Sequence, residues 1–539
     1  MKIAGQIIDI HNRKIFPGEI TLQEGKIKEI GKIRNCPDLF IMPGLIDAHI
    51  HIESSMATPG SFAVAAVSRG TTGVVSDPHE IANVLGIVGV KYMMDDAARV
   101  PMKFWFGAPS CVPATTFESS GASVGPEEVD ALLQMPQIKY LSEMMNFPGV
   151  IHDDPDVKRK LTSAKNAGKP VDGHAPGLSG ADLKKYIEAG ISTDHECSSE
   201  EEAWEKIMLG MKILIREGSA ARNLEALKGL IMTNPGNVML CSDDLHPEML
   251  GRGHIDRIVA GLISEGYNLF DVIRSCTVNP AEHYKLNAGL LRPGDPADFI
   301  VVGDYRKMDV IETWIDGVKV YDRGNVLFSY SGAGHLNRFS SSPVTANDIM
   351  VKRRGSEMRI IQAFDSELYT KEMIVETAPG ETVSSDPSGD ILKIVVKERY
   401  LNSPAATAFI RGFGLKQGAF AGSVAHDSHN IICIGARDED IVLAINEIVR
   451  LKGGLAVSVN GKTESLPLPV AGIMSDEPVN VIAGKYEALS SLVKSMGCSL
   501  SAPFMTLSFM ALLVIPELKL SDRGLFDGRA FKPVSLFVD

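Results

Sequence analysis

Several features that would place a protein in a specialised class are absent from this chain of 539 residues. Its seven cysteines include no CxxC pair, which argues against a disulfide framework and against a cysteine-rich zinc site. No window reaches the roughly 20 apolar residues that a membrane helix needs. The net charge of −13 comes from interspersed acids and bases, so neither a nucleic-acid footprint nor a polybasic membrane patch is visible. We expect a small-molecule substrate and no membrane or nucleic-acid partner.

Targeting and nucleotide-binding motifs are missing as well. The N-terminal segment has no uninterrupted apolar region and no small-residue cleavage site, so we expect a cytoplasmic protein with reduced thiols. His51 and Glu53 supply the H-x-E half of the zinc signature of cytidine deaminases, but no P-C-x-x-C exists, which rejects that architecture. The glycines near Gly412 and Gly453 do not follow a strand into a G-x-G-x-x-G fingerprint.

The chain is long enough for roughly three or four domains, and its 45% hydrophobic and 22% charged residues are typical of a globular protein. Residues 1–38 show the alternation of apolar and polar residues that is typical of short strands, but these strands are too few to bury a core alone. Residues 292–330 show the same pattern. We join them into one small discontinuous β-sandwich domain. Residues 331–344, rich in Ser, Gly and Asn, are the predicted linker to a C-terminal α+β domain at 345–539.

Residues 39–291 alternate β-rich runs with helical stretches such as Ala181–Ala189, Glu200–Leu209 and Ile255–Ser264. Eight strands alternating with helices over this length predict an α/β fold, a distorted (β/α)8 TIM barrel, whose active site lies at the carboxyl ends of the strands. The predicted strands are Leu45–Ile52, Thr72–Pro78, Lys103–Cys111, Ile138–Met145, Pro170–Pro176, Ile191–Glu196, Met211–Ser219 and Val238–Asp244.

The first of these strands carries the clearest chemical signal. His49 and His51 are two residues apart, and side chains at i and i+2 leave a strand on the same face. Both imidazoles can therefore point into one cavity, with Asp47 and Glu53 beside them. This is metal-ligand spacing for zinc, iron, manganese or nickel. The alternative is a pair of surface histidines on an edge strand.

Further candidate ligands stand at the ends of later strands. A lone histidine is ordinarily a core or hydrogen-bonding residue, but here two of them accompany the His-x-His pair. A carboxylate after the fourth strand can bridge two cations because it offers two oxygens. Six ligands exceed the need of one tetrahedral ion, so we predict two divalent transition-metal ions that share a bridge. The six are His49, His51, Glu143, His174, His195 and Asp243.

The order of these residues along the strands resembles the amidohydrolase superfamily of metal-dependent hydrolases. Longer segments resemble the bacterial-type adenine deaminase family within it, over essentially the whole chain. The segments are PGLIDAHIHIESS, GTTGVVSDPHEIANV, PSCVPAT, LSEMMNFPGV, DGHAPGLSG, AGISTDHECSS, LCSDDLHP, VNPAEHY, GFGLKQGAFAGSVAHDSHNI and PFMTLSFMALLVIPELKLSDRGLFD.

The resemblance implies hydrolytic deamination of adenine to hypoxanthine and ammonia, and a homodimer or higher homo-oligomer. It associates the family with manganese or iron, while imidazole and carboxylate ligands also suit zinc. It implies one metal held by His49, His51 and Asp243, a second held by His174 and His195, and Glu143 as the bridge.

Two other functions stay open. A cyclic-amide hydrolase of the dihydroorotase or hydantoinase kind shares the ligands and attacks a carbonyl. Many such relatives bridge with a carboxylated lysine on the fourth strand, whereas here Glu143 occupies the strand end and Lys139 lies near its start, and the extra C-terminal domain also weighs against this kind. A non-catalytic binding protein on the same fold is the other alternative, because fold does not fix function.

Deamination needs hydroxide and a proton donor, because adenine is a weak electrophile and ammonia a poor leaving group. Asp243 is our candidate for the carboxylate that takes the proton of water, with Asp244 or Asp77 as substitutes. A second acid or an imidazole must then protonate the ring nitrogen or the departing amine. The strand-end candidates for that donor are Glu53, Asp77, His79 and Glu217.

The C-terminal region holds one dense polar cluster, SVAHDSHN at 423–430, just before an apolar strand. We predict that His426 or Asp427 reaches over the barrel mouth and helps to close the substrate pocket, since binding sites commonly form between domains. The alternative is that these polar groups only satisfy a buried turn.

Overall fold

A computed structural model describes residues 1–219 and 221–538 of the chain. The chain begins with a β meander that leads directly into the barrel. The fourth of these strands, Phe40–Pro43, lies just inside the range predicted for the barrel, but it pairs with the first strand of the meander. The strands are β1 (Lys2–Asp9), β2 (Lys14–Gln23), β3 (Lys26–Lys32) and β4 (Phe40–Pro43).

The eight predicted barrel strands are all present and confirm the (β/α)8 class. The buried runs of Val, Ile and Leu are typical of parallel strands that are covered on both faces. The strands are β5 (Leu45–Ile50), β6 (Thr71–Ser76), β7 (Lys103–Ala108), β8 (Ile138–Met144), β9 (Val171–Gly173), β10 (Thr193–Asp194), β11 (Lys212–Arg216) and β12 (Val238–Cys241).

Helices and loops connect these strands and cover the barrel. The three helical stretches predicted from the sequence are helices here, and Ile255–Ser264 has the predicted bounds. The helices are α1 (Pro59–Ala66), α2 (His79–Leu85), α3 (Ile87–Ala97), α4 (Pro126–Leu133), α5 (Phe147–Ile151), α6 (Pro155–Asn166), α7 (Gly180–Glu188), α8 (Glu200–Met208), α9 (Leu224–Leu227), α10 (Leu230–Thr233), α11 (Pro247–Arg252), α12 (Ile255–Ser264), α13 (Leu269–Ser275) and α14 (Val278–His283).

The barrel is distorted at two seams. Five strands, β5 to β9, form one parallel sheet, and β10 to β12 form another. Single parallel bridges join the two sheets, one between Val171 and Ile191 and one between Ile50 and Asp243. The second bridge places the end of β12 beside the end of β5, so residues that are far apart in sequence meet at one edge.

After the barrel the chain returns to the N-terminal sheet. Its eight strands run in the order β16-β15-β14-β13-β4-β1-β2-β3, and the sheet folds over on itself because Ile27 in β3 bonds to the backbone at Gly294 and Asp295. A small core that includes Ile20, Phe299 and Trp314 fills it. The added strands are β13 (Phe299–Val302), β14 (Val310–Ile315), β15 (Val318–Asp322) and β16 (Asn325–Val326).

The C-terminal region is α+β, as predicted. Its main sheet has eight strands in the order β19-β18-β22-β21-β24-β23-β25-β26. The strands are β17 (Val351–Lys352), β18 (Glu357–Gln362), β19 (Lys371–Glu376), β20 (Thr382–Val383), β21 (Leu392–Lys397), β22 (Ala406–Arg411), β23 (Ala419–Gly422), β24 (Ile431–Gly435), β25 (Gly454–Val459), β26 (Lys462–Pro467), β27 (Leu518–Ser521), β28 (Gly524–Asp527) and β29 (Lys532–Pro533).

Three helices complete this region: α15 (Asp438–Leu451), α16 (Val479–Ser495) and α17 (Pro503–Phe509). Helix α15 packs on the sheet through Ile441, Ala444, Ile445 and Ile448, the spacing of one helical face. Helix α16 packs against α11 of the barrel, and one continuous core extends from the barrel into the C-terminal sheet. No helix among the described residues has both the length and the apolar character that crossing a membrane requires.

A buried polar network closes the barrel seam. The Asp47 carboxylate accepts hydrogen bonds from His254 Nε2 at 2.8 Å, from Ser242 Oγ, and from the backbone N–H groups of Ser242 and His49 at 3.1 and 3.2 Å. Asp47 and His254 are fully buried. The network therefore fixes the ends of β5 and β12 relative to each other.

Replacing Asp47 with Ala should lower the free energy of unfolding by about 3 kcal/mol or more, because it leaves several buried groups without their partner. Asp38→Ala, at an exposed position, is the matched control and should change it by less than about 0.5 kcal/mol. Urea unfolding followed by circular dichroism measures both variants. Equal midpoints would contradict a structural role for the network.

Candidate metal centre

The seam between β5 and β12 positions the first group of predicted ligands. Asp243 has a left-handed backbone with φ of 56°, an uncommon conformation for a residue with a side chain. It is held there because its N–H donates to His49 O at 2.9 Å and its C=O accepts from His51 N at 3.2 Å. Backbone strain of this kind clusters at functional sites.

The three side chains of this group converge. Nε2 of His49 lies 3.2 Å from Nε2 of His51, and these two nitrogens lie 3.4 and 3.2 Å from Oδ1 of Asp243. All three residues are buried.

A second group stands at the ends of β8, β9 and β10. Nδ1 of His174 lies 2.8 Å from Oε2 of Glu143 and 3.3 Å from Nε2 of His195, which is itself 3.2 Å from the same carboxylate oxygen. The His174 side chain is 20% exposed, and the other two are buried. This group is the part of the cluster nearest to solvent.

Glu143 joins the two groups. Its other oxygen, Oε1, lies 3.4 Å from Nε2 of His51, so one carboxylate faces both sets of imidazoles. Nδ1 of His49 is buried without a hydrogen-bond partner among the described residues. Imidazole nitrogens and carboxylate oxygens at these separations suit a divalent transition-metal ion. The residues present therefore fit a metal centre.

The carboxylates of the cluster are held in their charged form. Burial alone would raise the pKa of Glu143, but His195 and His174 outweigh burial, and its pKa lies well below the usual value. Burial would also raise the pKa of Asp243, but the charge of Arg216, whose Nη1 lies 2.8 Å from Oδ2, outweighs burial. The pKa of Asp243 therefore also lies well below its usual range. Deprotonated carboxylates are the form that binds a cation.

Three charged residues at the site were not selected from the sequence. Glu196 follows His195 and lies 3.3 Å from its Nε2, and Arg216 donates to both Glu196 and Asp243. Glu80 follows His79. Each of the three is the neighbour in sequence of a residue that was selected as a candidate ligand or proton donor. This adjacency is the one feature of the sequence that could have pointed to them. Adjacency alone does not show which side chain turns inward.

The predicted proton donors separate into two sets. His79 lines the cavity at the cluster, with Nδ1 3.2 Å from Asp77 and 3.5 Å from Glu143. Glu53 is buried beside the barrel, where one oxygen accepts from Ile81 N at 3.1 Å and burial raises its pKa to about 7. Glu217 points elsewhere: it lies 3.5 Å from Arg222 and lines a separate cavity. Only His79 and Asp77 are thus in reach of the cluster.

The C-terminal region reaches the same cavity, whose volume is about 60 Å³. His426, Asp427 and Asp244 all line it, and Asp244 accepts a hydrogen bond from Ser54 at 2.5 Å. Burial raises the pKa of Asp427 to about 6.

Glu80 connects the barrel to the C-terminal region. One of its oxygens bonds to Nδ1 of His426 and the other to Nε2 of His429, and all three residues are buried. Burial would lower the pKa of His426, but the carboxylate of Glu80 outweighs burial and raises it to about 9, whereas burial lowers the pKa of His429 to about 4. One imidazolium therefore neutralises Glu80.

Known protein families match both parts of the chain. Residues 40–320 match the amidohydrolase family, and residues 367–532 match the adenine deaminase C-terminal domain. The adenine deaminase of Salinibacter ruber is 51% identical over 540 residues, which cover 100% of this chain and 99% of the relative. The adenine deaminase of a Sulfurovum species is 53% identical over 98% of both chains, and that of Methanosarcina mazei is 50% identical over 100% of both. The chain belongs to the adenine deaminase family.

Membership confirms the resemblance read from the sequence motifs. Among solved structures, the β-aspartyl dipeptidase of Fervidobacterium islandicum AW-1 aligns with 61% of this chain and 99% of its own, at 18% identity and a TM-score of 0.46. The amidohydrolase match and the buried cluster together indicate a divalent metal centre. The role of each ligand stays a prediction.

Proposed function

We propose that this chain hydrolyses adenine to hypoxanthine and ammonia. The observation that carries the proposal is the buried cluster of four imidazoles and two carboxylates at the barrel mouth, in a chain that is about half identical to adenine deaminases over its full length. The cyclic-amide alternative has less support, because Glu143 occupies the strand end where that class carries a carboxylated lysine. Lys139 points away, with Nζ bound to Pro136 O at 2.8 Å.

The proposed cofactors are two divalent ions, manganese or iron. Ions held at this cluster would supply hydroxide at neutral pH, because divalent metals lower the pKa of water from 15.7 to about 7. Glu143 is the proposed bridge, since its two oxygens face different imidazoles. The proposed holders of one ion are His49, His51 and Asp243, and those of the other are His174 and His195.

Asp243 is the proposed base that takes the proton of water. Its Oδ1 faces the cluster, while Oδ2 is occupied by Arg216. The guanidinium fixes the orientation of the carboxylate, so that Oδ1 is the oxygen left to face the cluster. The left-handed backbone of Asp243 fixes the same orientation from the main chain.

His79 is the proposed donor to the purine ring or to the departing amine. It lines the cavity, and Asp77 lies behind its Nδ1. Glu53 and Glu217 have less support for this role, because neither residue lines the cavity.

His426 is proposed to contact the substrate from the C-terminal region. Since Nδ1 is bound to Glu80, Nε2 is the nitrogen left to face the cavity that the residue lines. A protonated imidazole held in this way donates a hydrogen bond to an acceptor nitrogen of a purine. Asp427 lines the same wall and can accept from an exocyclic amine.

Two further expectations stay predictions. The seven cysteines are all free, and six of them are buried, which supports the proposed reducing cytoplasmic location. The family resemblance also leads us to propose a homodimer or higher homo-oligomer.

Product analysis tests the function directly. Metal-loaded protein incubated with adenine, adenosine, cytosine and dihydroorotate should convert adenine alone, with hypoxanthine and ammonia in equal amounts. Hydrolysis of dihydroorotate with adenine left intact would establish the cyclic-amide alternative instead.

Glu143→Gln should keep the fold but bind less metal, because the neutral amide offers one acceptor oxygen in place of two. Elemental analysis should find close to two ions per wild-type chain and fewer in the variant. Glu381→Gln, at an exposed position, is the control and should retain the full content. A Glu143→Gln protein with two firmly bound ions and normal activity would disprove the bridge.

Asp243→Asn preserves the shape of the side chain and removes its basicity, so kcat should fall by about 10² or more. Steady-state kinetics at equal metal content measures the effect. A variant within a few-fold of wild type would transfer the role to Asp244 or Asp77.

His426→Ala and Asp427→Ala should each lower kcat/KM by about 10² while the metal content stays unchanged, because both residues face the cavity and neither belongs to the ligand set. His152→Ala, an exposed histidine, should leave kcat/KM unaltered. If both cavity variants lose thermal stability but keep wild-type kcat/KM, the two residues only satisfy a buried turn.

A further inference from the structure

A large polar cavity lies outside the metal site, between the barrel and the C-terminal region. Its volume is about 650 Å³. Ser219 and Arg252 line it from the barrel, and Tyr486 and Ser490 on α16 line it from the other side. The two walls are tied together at Arg252 and Glu487, whose charged groups are 2.7 Å apart.

A constriction connects this outer cavity to the metal cavity. The constriction shares Ser219, Ser366, Ser501 and Ala502 with the outer cavity. At its inner end it shares two apolar side chains, Leu368 and Phe509, with the metal cavity. Its volume is about 10 Å³, roughly the space for one water molecule. The three spaces thus lie in sequence along one cleft, which we call the interdomain cleft.

Lys519 holds the inner end of the constriction. Its Nζ donates to Leu368 O at 2.7 Å and to Phe509 O at 3.0 Å, so one ammonium group ties together the two backbone segments that carry these side chains. The residue is fully buried and has no carboxylate within salt-bridge distance among the described residues. Burial without an anion lowers the pKa of Lys519 to about 7. Burying an amine without a carboxylate partner costs free energy, and the two hydrogen bonds to backbone carbonyls offset part of that cost.

The metal cavity needs an access route. The candidate ligands at its base are mostly buried, and His174 is the most exposed of them, with 20% of its side chain accessible. A bicyclic purine is several times larger than the water that fits the constriction. Besides Lys519, Ser501 ties the same two segments together, because its N–H and its Oγ both donate to Oδ1 of Asp365 at 2.8 Å. A purine can pass only if Leu368 and Phe509 separate, and Lys519 is the tie that joins the backbones of these two residues directly.

We propose that the interdomain cleft is the route by which flat, purine-sized molecules reach the metal centre, with Leu368 and Phe509 as its gate and Lys519 as the clamp that keeps the gate closed. The identification of adenine as the substrate that uses this route rests on the proposed function. The existence of the route does not depend on that function.

Access of 1,10-phenanthroline, a flat tricyclic chelator, tests the route without relying on turnover. Metal-loaded protein is mixed with chelator in the range where the rate of metal removal is proportional to its concentration. Ala502→Trp, which fills the constriction, should slow removal by about tenfold, equivalent to a barrier higher by about 1.4 kcal/mol. Lys519→Met keeps the apolar stem, removes both donated bonds and should accelerate removal.

Controls separate the route from general damage. Ser495→Trp adds the same bulk to an exposed position of α16 outside the cleft and should behave as wild type. Ser501→Trp repeats the block if Ala502→Trp does not fold. Wild-type rates of metal removal in the blocked variants would overturn the proposal. A further variant, Met145→Trp, adds bulk to the wall of the metal cavity that also contains His174. If metal removal is slowed in this variant alone, the route passes His174 and not the interdomain cleft. If neither the wild type nor any variant converts adenine, while the rates of metal removal are as expected, the proposed function is refuted and the route is still supported.

Discussion

The carboxylate of Glu143 is the constraint on which the site depends. It is buried, and its two oxygens face imidazoles from β5, β9 and β10 and from the start of α2. A buried carboxylate needs compensating charge, and imidazoles packed this closely need a cation or protons between them. A divalent metal centre at the point where the strand ends converge would meet both requirements. The barrel supplies that convergence because parallel strands deliver their carboxyl ends to one face.

The C-terminal region completes the cavity that the barrel opens. The Glu80 bonds to His426 and His429 attach it directly behind His79, so the wall over the metal centre is part of a buried contact between the two regions. His426 also stacks on Phe509, with ring centroids 4.6 Å apart. This places a residue proposed for substrate contact against a residue proposed for the gate. Access to the site and binding within it therefore depend on the same contact between barrel and C-terminal region.

The barrel and its cluster could be predicted from the sequence because their signals are local. Apolar runs ending in Asp, Glu or His give each strand and its polar end, and the (β/α)8 topology brings those ends together whatever their separation in sequence. Contacts that depend on side-chain direction could not be predicted in this way. Glu80 and Glu196 stand beside selected histidines, yet only the fold shows that they turn inward, while Glu217 turns away. The pairing of Phe40–Pro43 with β1 and β13 likewise depends on partners more than 30 and 250 residues away.

Titration of metal-depleted protein with manganese or iron(II) tests the central claim most directly, with bound metal and adenine turnover measured in the same samples. The account predicts no turnover without metal and a rise that saturates near two ions per chain, as expected for a bridged pair. Full adenine turnover in metal-free protein, or saturation of binding without any hypoxanthine formed, would contradict it.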